Sequence, residues 1–208
     1  MLSPEQLRLL LEKLPEPSKS LVWLLVLTGL RIGELLALRW QDVDLDAGAG
    51  VLRVRRTLYE GHFDEPKTMH SNRVVPLGPK ALSILRAHKP QMQEADALIF
   101  TSKQGTPLSR RNLKTRQLAP ICKELGIAGI SWHALRHANA TLLDSVGTPL
   151  GTVQAILGHS SSDMTRGTYL HSLPAGAREA VEKVEALLIG PKRTQVEEIR
   201  NLGSTLIQ

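Results

Sequence analysis

The sequence predicts a mainly α-helical domain with one small antiparallel β-sheet set into it, an α+β arrangement. Three observations carry that prediction. Apolar residues recur at helical spacing over most of the chain, and the segments they define stop at glycine or proline. Between Val51 and Leu77 the pattern changes to alternation, as strands require. A length of 208 residues suits one domain with a substantial core, or one domain and a tail, and is cramped for two.

The elements follow in order. Ser3 caps a first helix, with Pro4 at its first position and Gln6 closing a capping box. Leu7, Leu10, Leu11 and Leu14 form its apolar stripe. After Pro15 and Pro17 a second helix runs through Leu21, Trp23, Leu24 and Leu27, until Thr28 and Gly29 break it before a third from Arg31 to Leu38. Val51, Arg53 and Arg55 then alternate with Leu52, Val54 and Arg56, Arg73 to Leu77 reads as the returning strand, and Lys67 falls on or beside the turn. Tyr59 fits a strand position where it would pack. Further helices are expected from Pro79 to His88, from Ser109 to Leu125 with Gly126 as its stop, from Ser131 to Val146 with Gly147, and from Pro149 to Leu157 with Gly158. The last helix carries Ala180, Val181, Val184, Leu187 and Leu188 on one side and Arg178, Glu179, Glu182, Lys183 and Glu185 on the other. Residues 1–190 are assigned to the domain, and 191–208 to a tail that matches no pattern.

Composition narrows the functional classes. The chain is 42% hydrophobic and 22% charged, as an ordinary globular protein is, and only 3% aromatic, which argues against a single-strand binder built on stacked rings. A formal charge of +6 favours a polyanionic partner, although many proteins use positive charge for solubility alone. Lys103, Arg110, Arg111, Lys114, Arg116 and Lys123 follow one another with no intervening carboxylate; such a run is a solvated helix face or lies along phosphates. The single cysteine, Cys122, excludes an internal disulfide and a cysteine-rich zinc site and reads as a half-buried helix residue. The apolar run Leu21 to Leu27 is too short to span a bilayer, so a soluble, intracellular protein is expected.

Breaking a phosphodiester without metal needs cations for the non-bridging oxygens, a nucleophile, and an acid for the departing oxygen. Arginine suits the first task because its planar fork pairs with phosphate oxygens and keeps its charge. Arg31 opens a helix in TGLRIGEL with Glu34 on its face, which taken alone also fits a capped surface helix with an internal ion pair. His133 and Arg136 in HALRH lie one turn apart and can address one ligand, or merely decorate a surface. His159 in LGHSS follows a glycine stop, where histidine commonly serves the helix end. Lys67 in PKTMHSNRVVPL can be any hairpin lysine. Tyr169 in MTRGTYLH has polar neighbours, and its phenol, with an ordinary pKa of about 10, makes an ester that an incoming hydroxyl can reverse. Each motif is weak singly; their joint appearance in this order is the signal.

Those motifs resemble the tyrosine recombinases, the family that includes phage integrases and the Xer recombinases, from about Leu2 to Leu188. TGLRIGEL is similar to the family's first arginine motif, PKT with RVVPL to its lysine hairpin, HALRH to its histidine and second arginine motif, LGHSS to its last histidine motif, and TYLH to its nucleophile motif. The resemblance implies the integrase catalytic-domain fold and an active site of Arg31, Lys67, His133, Arg136, His159 and Tyr169. It implies that Arg31 and Arg136 hold the scissile phosphate, that His133 and His159 manage protons, and that Lys67 protonates the 5'-oxygen. It further implies that Tyr169 forms the 3'-phosphotyrosine link and that neither metal nor any other cofactor is needed. The implied partners are double-stranded DNA, along which Lys103, Arg110, Arg111, Lys114 and Arg116 are DNA-binding candidates, and further protomers, a tetramer in the synapse. The implied setting is a bacterial, phage or mobile-element protein at the nucleoid.

The family's separate helical core-binding domain is expected to be missing from these 208 residues, which puts efficient recombination by them alone in doubt. In the family the final helix often docks on a neighbouring protomer; folding back onto its own domain is equally compatible with its pattern. A non-catalytic DNA-binding relic and a type IB topoisomerase are the competing readings. The intact residue set argues against the first, and the spacing from LGHSS to TYLH against the second.

Overall fold

A computed structural model describes residues 2–45, 50–64, 72–90, 94–128, 130–158 and 176–189. The helices there are α1 (Pro4–Lys13), α2 (Ser18–Thr28), α3 (Ile32–Leu36), α4 (Pro79–His88), α5 (Arg110–Leu113), α6 (Ala119–Glu124), α7 (Trp132–Ser145), α8 (Leu150–Leu157) and α9 (Ala177–Ile189). The strands are β1 (Val43–Asp44), β2 (Val51–Val54), β3 (Thr57–Tyr59), β4 (His62–Asp64) and β5 (Arg73–Pro76). The expected mainly helical fold with small antiparallel sheets is what forms. None of the described helices is long and apolar enough to cross a membrane.

Local chemistry accounts for most of the boundaries. The Ser3 hydroxyl accepts the Gln6 amide hydrogen, and the Gln6 side chain accepts from the Ser3 amide, which completes the expected capping box. Ser131 caps α7 in the same manner through Ala134. Gly29 and Gly158 end α2 and α8 in the left-handed conformation. Leu21, Leu24, Leu25 and Leu27 are fully buried, so α2 is apolar around most of its surface and forms the axis on which α1, α3, α4, α7 and α9 pack.

The strands differ from expectation in two respects, a second sheet and an exposed Tyr59. β2 pairs antiparallel with β5, Leu52 opposite Val75 and Val54 opposite Arg73, and β1 adds at the other edge of β2. Between β2 and β5 a second hairpin intervenes, β3 against β4, turning at Glu60 and Gly61, both with positive φ. That two-residue geometry matches strand twist, but Glu-Gly is a weaker turn signature than Asn-Gly. Tyr59 lies on β3 and is half exposed rather than packed, with the Arg110 guanidinium 4.5 Å above its ring. The hairpin rests on α3 because Gly33 has no side chain: a Cβ there would meet Thr57 Oγ1 at 2.6 Å and the Leu58 carbonyl oxygen at 2.7 Å. The single helix expected from Ser109 to Leu125 runs as α5, one π-type stretch from Lys114 to Leu118, and α6.

Helix α9 lies on its own domain. Ala180, Val181, Val184 and Leu188 are buried against α1, α2, α7, α8 and β5, and Arg8 donates to the Leu187 and Leu188 carbonyls. Glu185, placed by its sequence pattern on the charged side, is instead buried and accepts the Lys80 and Ala81 amides at the start of α4. Desolvation holds its carboxyl above the usual carboxylate range. The tail from residue 191 lies outside the described residues. If α9 is part of the core, Leu188→Ala lowers stability by about 2–5 kcal/mol. The exposed neighbour Ile189→Ala changes it by less than about 0.5 kcal/mol. Urea unfolding of the two variants checks this, and equal midpoints would contradict it.

Candidate active site

The site begins where α2 stops. Gly29, at φ 64°, turns the chain out of α2, and a Cβ on it would lie 2.5 Å from Asn139 Oδ1 and 2.7 Å from Leu157. Two residues on, Arg31 is the extended residue that opens α3. The Glu34 carboxylate reaches back to accept the Arg31 amide and the Arg31 Nη1 hydrogen, each at 2.8 Å. Sequence spacing anticipates that pair but not its setting. The Arg31 side chain is 46% exposed while that of Glu34 is 5% exposed, so this is no surface ion pair.

Glu34 has a second partner, Arg73, from the first position of β5. Arg73 Nη2 lies 2.9 Å from Glu34 Oε2 and Nη1 3.3 Å from Oε1, a forked pairing that is itself buried. Burial is the largest influence on Glu34 and pushes its carboxyl upward. The charge and hydrogen bonds of Arg73, joined by those of Arg31, more than offset it, and the group ends below its ordinary value.

Helix α7 brings the next two residues. His133 and Arg136 stand one turn apart. Arg136 is buried, and its guanidinium donates to the Gly29 carbonyl at 2.6 Å and to that of Leu157. Asn139, one turn further, donates to the Val26 carbonyl and fastens α7 to the end of α2. Desolvation, then the charges of Arg31 and Arg73, lower the Arg136 pKa to about 10, with Glu34 acting the other way; it remains charged at neutral pH. His133 is exposed at the rim, its ring set edge-on to that of His137 at 4.4 Å. Desolvation first, then His137, Arg136 and Arg31, hold its pKa below the ordinary imidazole value.

Of the six sequence-derived catalytic candidates, Arg31, His133 and Arg136 are thus brought together, whereas Lys67, His159 and Tyr169 lie outside the described residues. The chain adjoining them does reach the cluster. β5 emerges from the segment holding Lys67, and α8 ends at Gly158, directly before His159. The sequence places Arg73 at the head of the returning strand but gives it no part in the site; the buried position it takes opposite Val54 is visible only once β2 and β5 pair. The basic stretch borders the same region: Lys103, Arg111, Lys114, Arg116 and Lys123 are exposed, and the Arg110 carbonyl accepts the indole hydrogen of Trp132, next to His133. Cys122 is more deeply buried than expected, and burial raises its thiol pKa.

Three guanidinium groups are thus gathered about one carboxylate on a mainly helical domain. Residues 1–175 match the model of the phage integrase family. The chain belongs to that family. It is 32% identical over 197 residues to a tyrosine recombinase XerC-like protein of Caldanaerobacter subterraneus, covering 82% of this chain and 50% of the relative. It is 31% identical over 200 residues to the ICEBs1 integrase of Bacillus subtilis, covering 89% and 54%. The chain therefore spans about half the length of the curated relatives it matches. Among solved structures it is similar to the Tn1549 transposon integrase in complex with a circular intermediate DNA, with TM-score 0.64, 25% identity, and coverage of 88% of this chain and 65% of that one. The XerA recombinase, at TM-score 0.60 and 21% identity over 97% of this chain and 62% of that one, shares the fold.

The electrostatic surroundings of His133 give a direct check. Its imidazole is expected to titrate in NMR below the free value of about 6.5, and His137→Ala is expected to move the midpoint upward by removing the neighbouring imidazole. A midpoint at or above the free value would contradict the arrangement.

Proposed function

We propose that this chain is the catalytic part of a site-specific DNA recombinase, which cleaves and rejoins strands through a 3'-phosphotyrosine intermediate. The observation that carries the reading is the cluster of Arg31, Arg136 and His133, bordered by β5, which begins six residues after Lys67 in sequence, and by α8, whose cap Gly158 directly precedes His159. Membership of the phage integrase family and the likeness to a DNA-bound transposon integrase support it.

In this mechanism Arg31 and Arg136 bind the non-bridging oxygens of the scissile phosphate and stabilise the charge that grows on them during transfer. The Tyr169 oxygen bonds to phosphorus as the bond to the 5'-oxygen breaks. The phenol proton passes to a histidine of the pair His133 and His159, and Lys67 supplies the proton that the 5'-oxygen takes up. The lowered pKa of His133 favours the neutral imidazole, the form that accepts a proton. One phosphoester replaces another, so a hydroxyl from a second DNA strand reverses the step without an energy source. Lys103, Arg111, Lys114 and Arg116 extend the positive surface along the duplex, and Arg110 does so while braced on Tyr59. Further protomers on DNA, four in the synapse, complete the assembly.

Two outcomes follow. Incubated with nicked duplexes carrying candidate sites, the chain gives a covalent complex on a denaturing gel, Tyr169→Phe gives none, and Tyr59→Phe is unaffected. A normal yield from Tyr169→Phe would overturn the nucleophile assignment. Covalent complex also forms at an undiminished rate in excess EDTA, since fixed cations do the work of a metal; activity lost on chelation and restored by magnesium would overturn the mechanism.

A further inference from the structure

We propose that Arg73 is a positioning residue for strand transfer, a three-point clamp that fixes Arg31 and the entry to the His159 segment relative to one another. The inference rests on the recombinase reading for its catalytic consequence, but its geometry stands independently.

The clamp is built from one side chain. Two of its nitrogens grip Glu34, at 2.9 and 3.3 Å, and Nε donates to the Ile156 carbonyl at 2.8 Å. Glu34 in turn is the group that holds Arg31, by backbone and by side chain. Arg31 is half exposed, so nothing in its own burial orients it; a carboxylate gripped by Arg31 alone would turn with it. With Arg73 holding the far side, the carboxylate becomes a fixed post. Ile156 is three residues before His159, and the next carbonyl, that of Leu157, is taken by Arg136. Two arginines thus hold consecutive carbonyls at the end of α8. Gly158 passes so closely over Arg73 that a Cβ would lie 2.9 Å from Arg73 Cδ and Nη1, which fixes the height at which the chain leaves toward His159. Arg73 also opens β5, six residues after Lys67, so three of the approaches to the site converge on one guanidinium.

Only arginine meets these demands, since its donors lie in a rigid plane at set angles while a lysine presents one charge on a flexible stem. The competing account is that Arg73 and Glu34 merely pair in the core. A fold does not require such a pair, because a buried ion pair is commonly replaceable by apolar residues of similar volume with little loss of stability. That difference separates the two accounts.

The test uses the full chain, Arg73→Lys, and the double variant Glu34→Met with Arg73→Met, which removes both charges and keeps the core folded should the lysine variant fail to fold. Thermal unfolding establishes which variants are folded. Each folded variant is expected to bind nicked duplex within about threefold of the parent yet form the covalent complex about 100-fold more slowly at saturating DNA, as a misplaced reacting group does. In arginine-labelled protein without DNA, the Arg31 Nε resonance, assigned by its loss in Arg31→Lys, is expected to move toward that of solvent-exposed arginines. Covalent complex at the parental rate together with an unmoved Arg31 resonance would overturn the proposal. If the parent itself forms no complex the recombinase reading fails, and the Arg31 resonance alone then decides the clamp: movement upholds it and no movement refutes it.

Discussion

A buried carboxylate at Glu34 is the constraint from which the architecture of the site follows. Removing one partner from a buried charge costs about 3–5 kcal/mol, because the survivor is left without water or counter-charge. Arg73 first, and Arg31 after it, hold the Glu34 carboxyl below its ordinary value against its burial, and the elements that carry them meet on it: α3 at its first turn, β5 at its first residue. Gly29 and Gly33 serve the same end, one by turning the chain out of α2 into contact with α7, the other by letting the β3–β4 hairpin settle on α3.

On the proposed reading, the attraction of the site for a phosphate arises from what Glu34 leaves unbalanced. Three guanidinium groups face one carboxylate, and burial together with mutual repulsion brings the Arg136 pKa down to about 10. On the proposed reading an incoming phosphate relieves that repulsion. Arg136 is held in readiness by backbone carbonyls from two separate elements, Gly29 after α2 and Leu157 at the end of α8. The same contacts tie the flank of the His159 segment to the flank of Arg31.

What the sequence discloses is what depends on local chemistry. The Ser3 and Ser131 caps, the glycine stops at 29 and 158, the stripe of α1 and the mainly helical class are each written within a few residues. Long-range features are not. Nothing near Glu185 announces that its carboxylate will cap α4, more than a hundred residues away in sequence. Tyr59 looks like a packed strand residue because aromatic strand residues usually are, yet its partner is an arginine from α5. For the site, the ordered motifs locate Arg31, His133 and Arg136, which the fold gathers. Arg73 escapes because an arginine in a strand carries no chemical signature until its partners arrive from α3 and α8.

On the proposed reading the pair Arg31 and Arg136, rather than the exposed basic stretch, is the seat of a phosphate group. Titration of arginine-labelled protein with inorganic phosphate, followed through the side-chain resonances, tests it most directly. The account predicts that Arg31 and Arg136 shift together along one saturable isotherm, ahead of Arg111 and Arg116. Saturable shifts at Arg111 and Arg116 with Arg31 and Arg136 unmoved would contradict it.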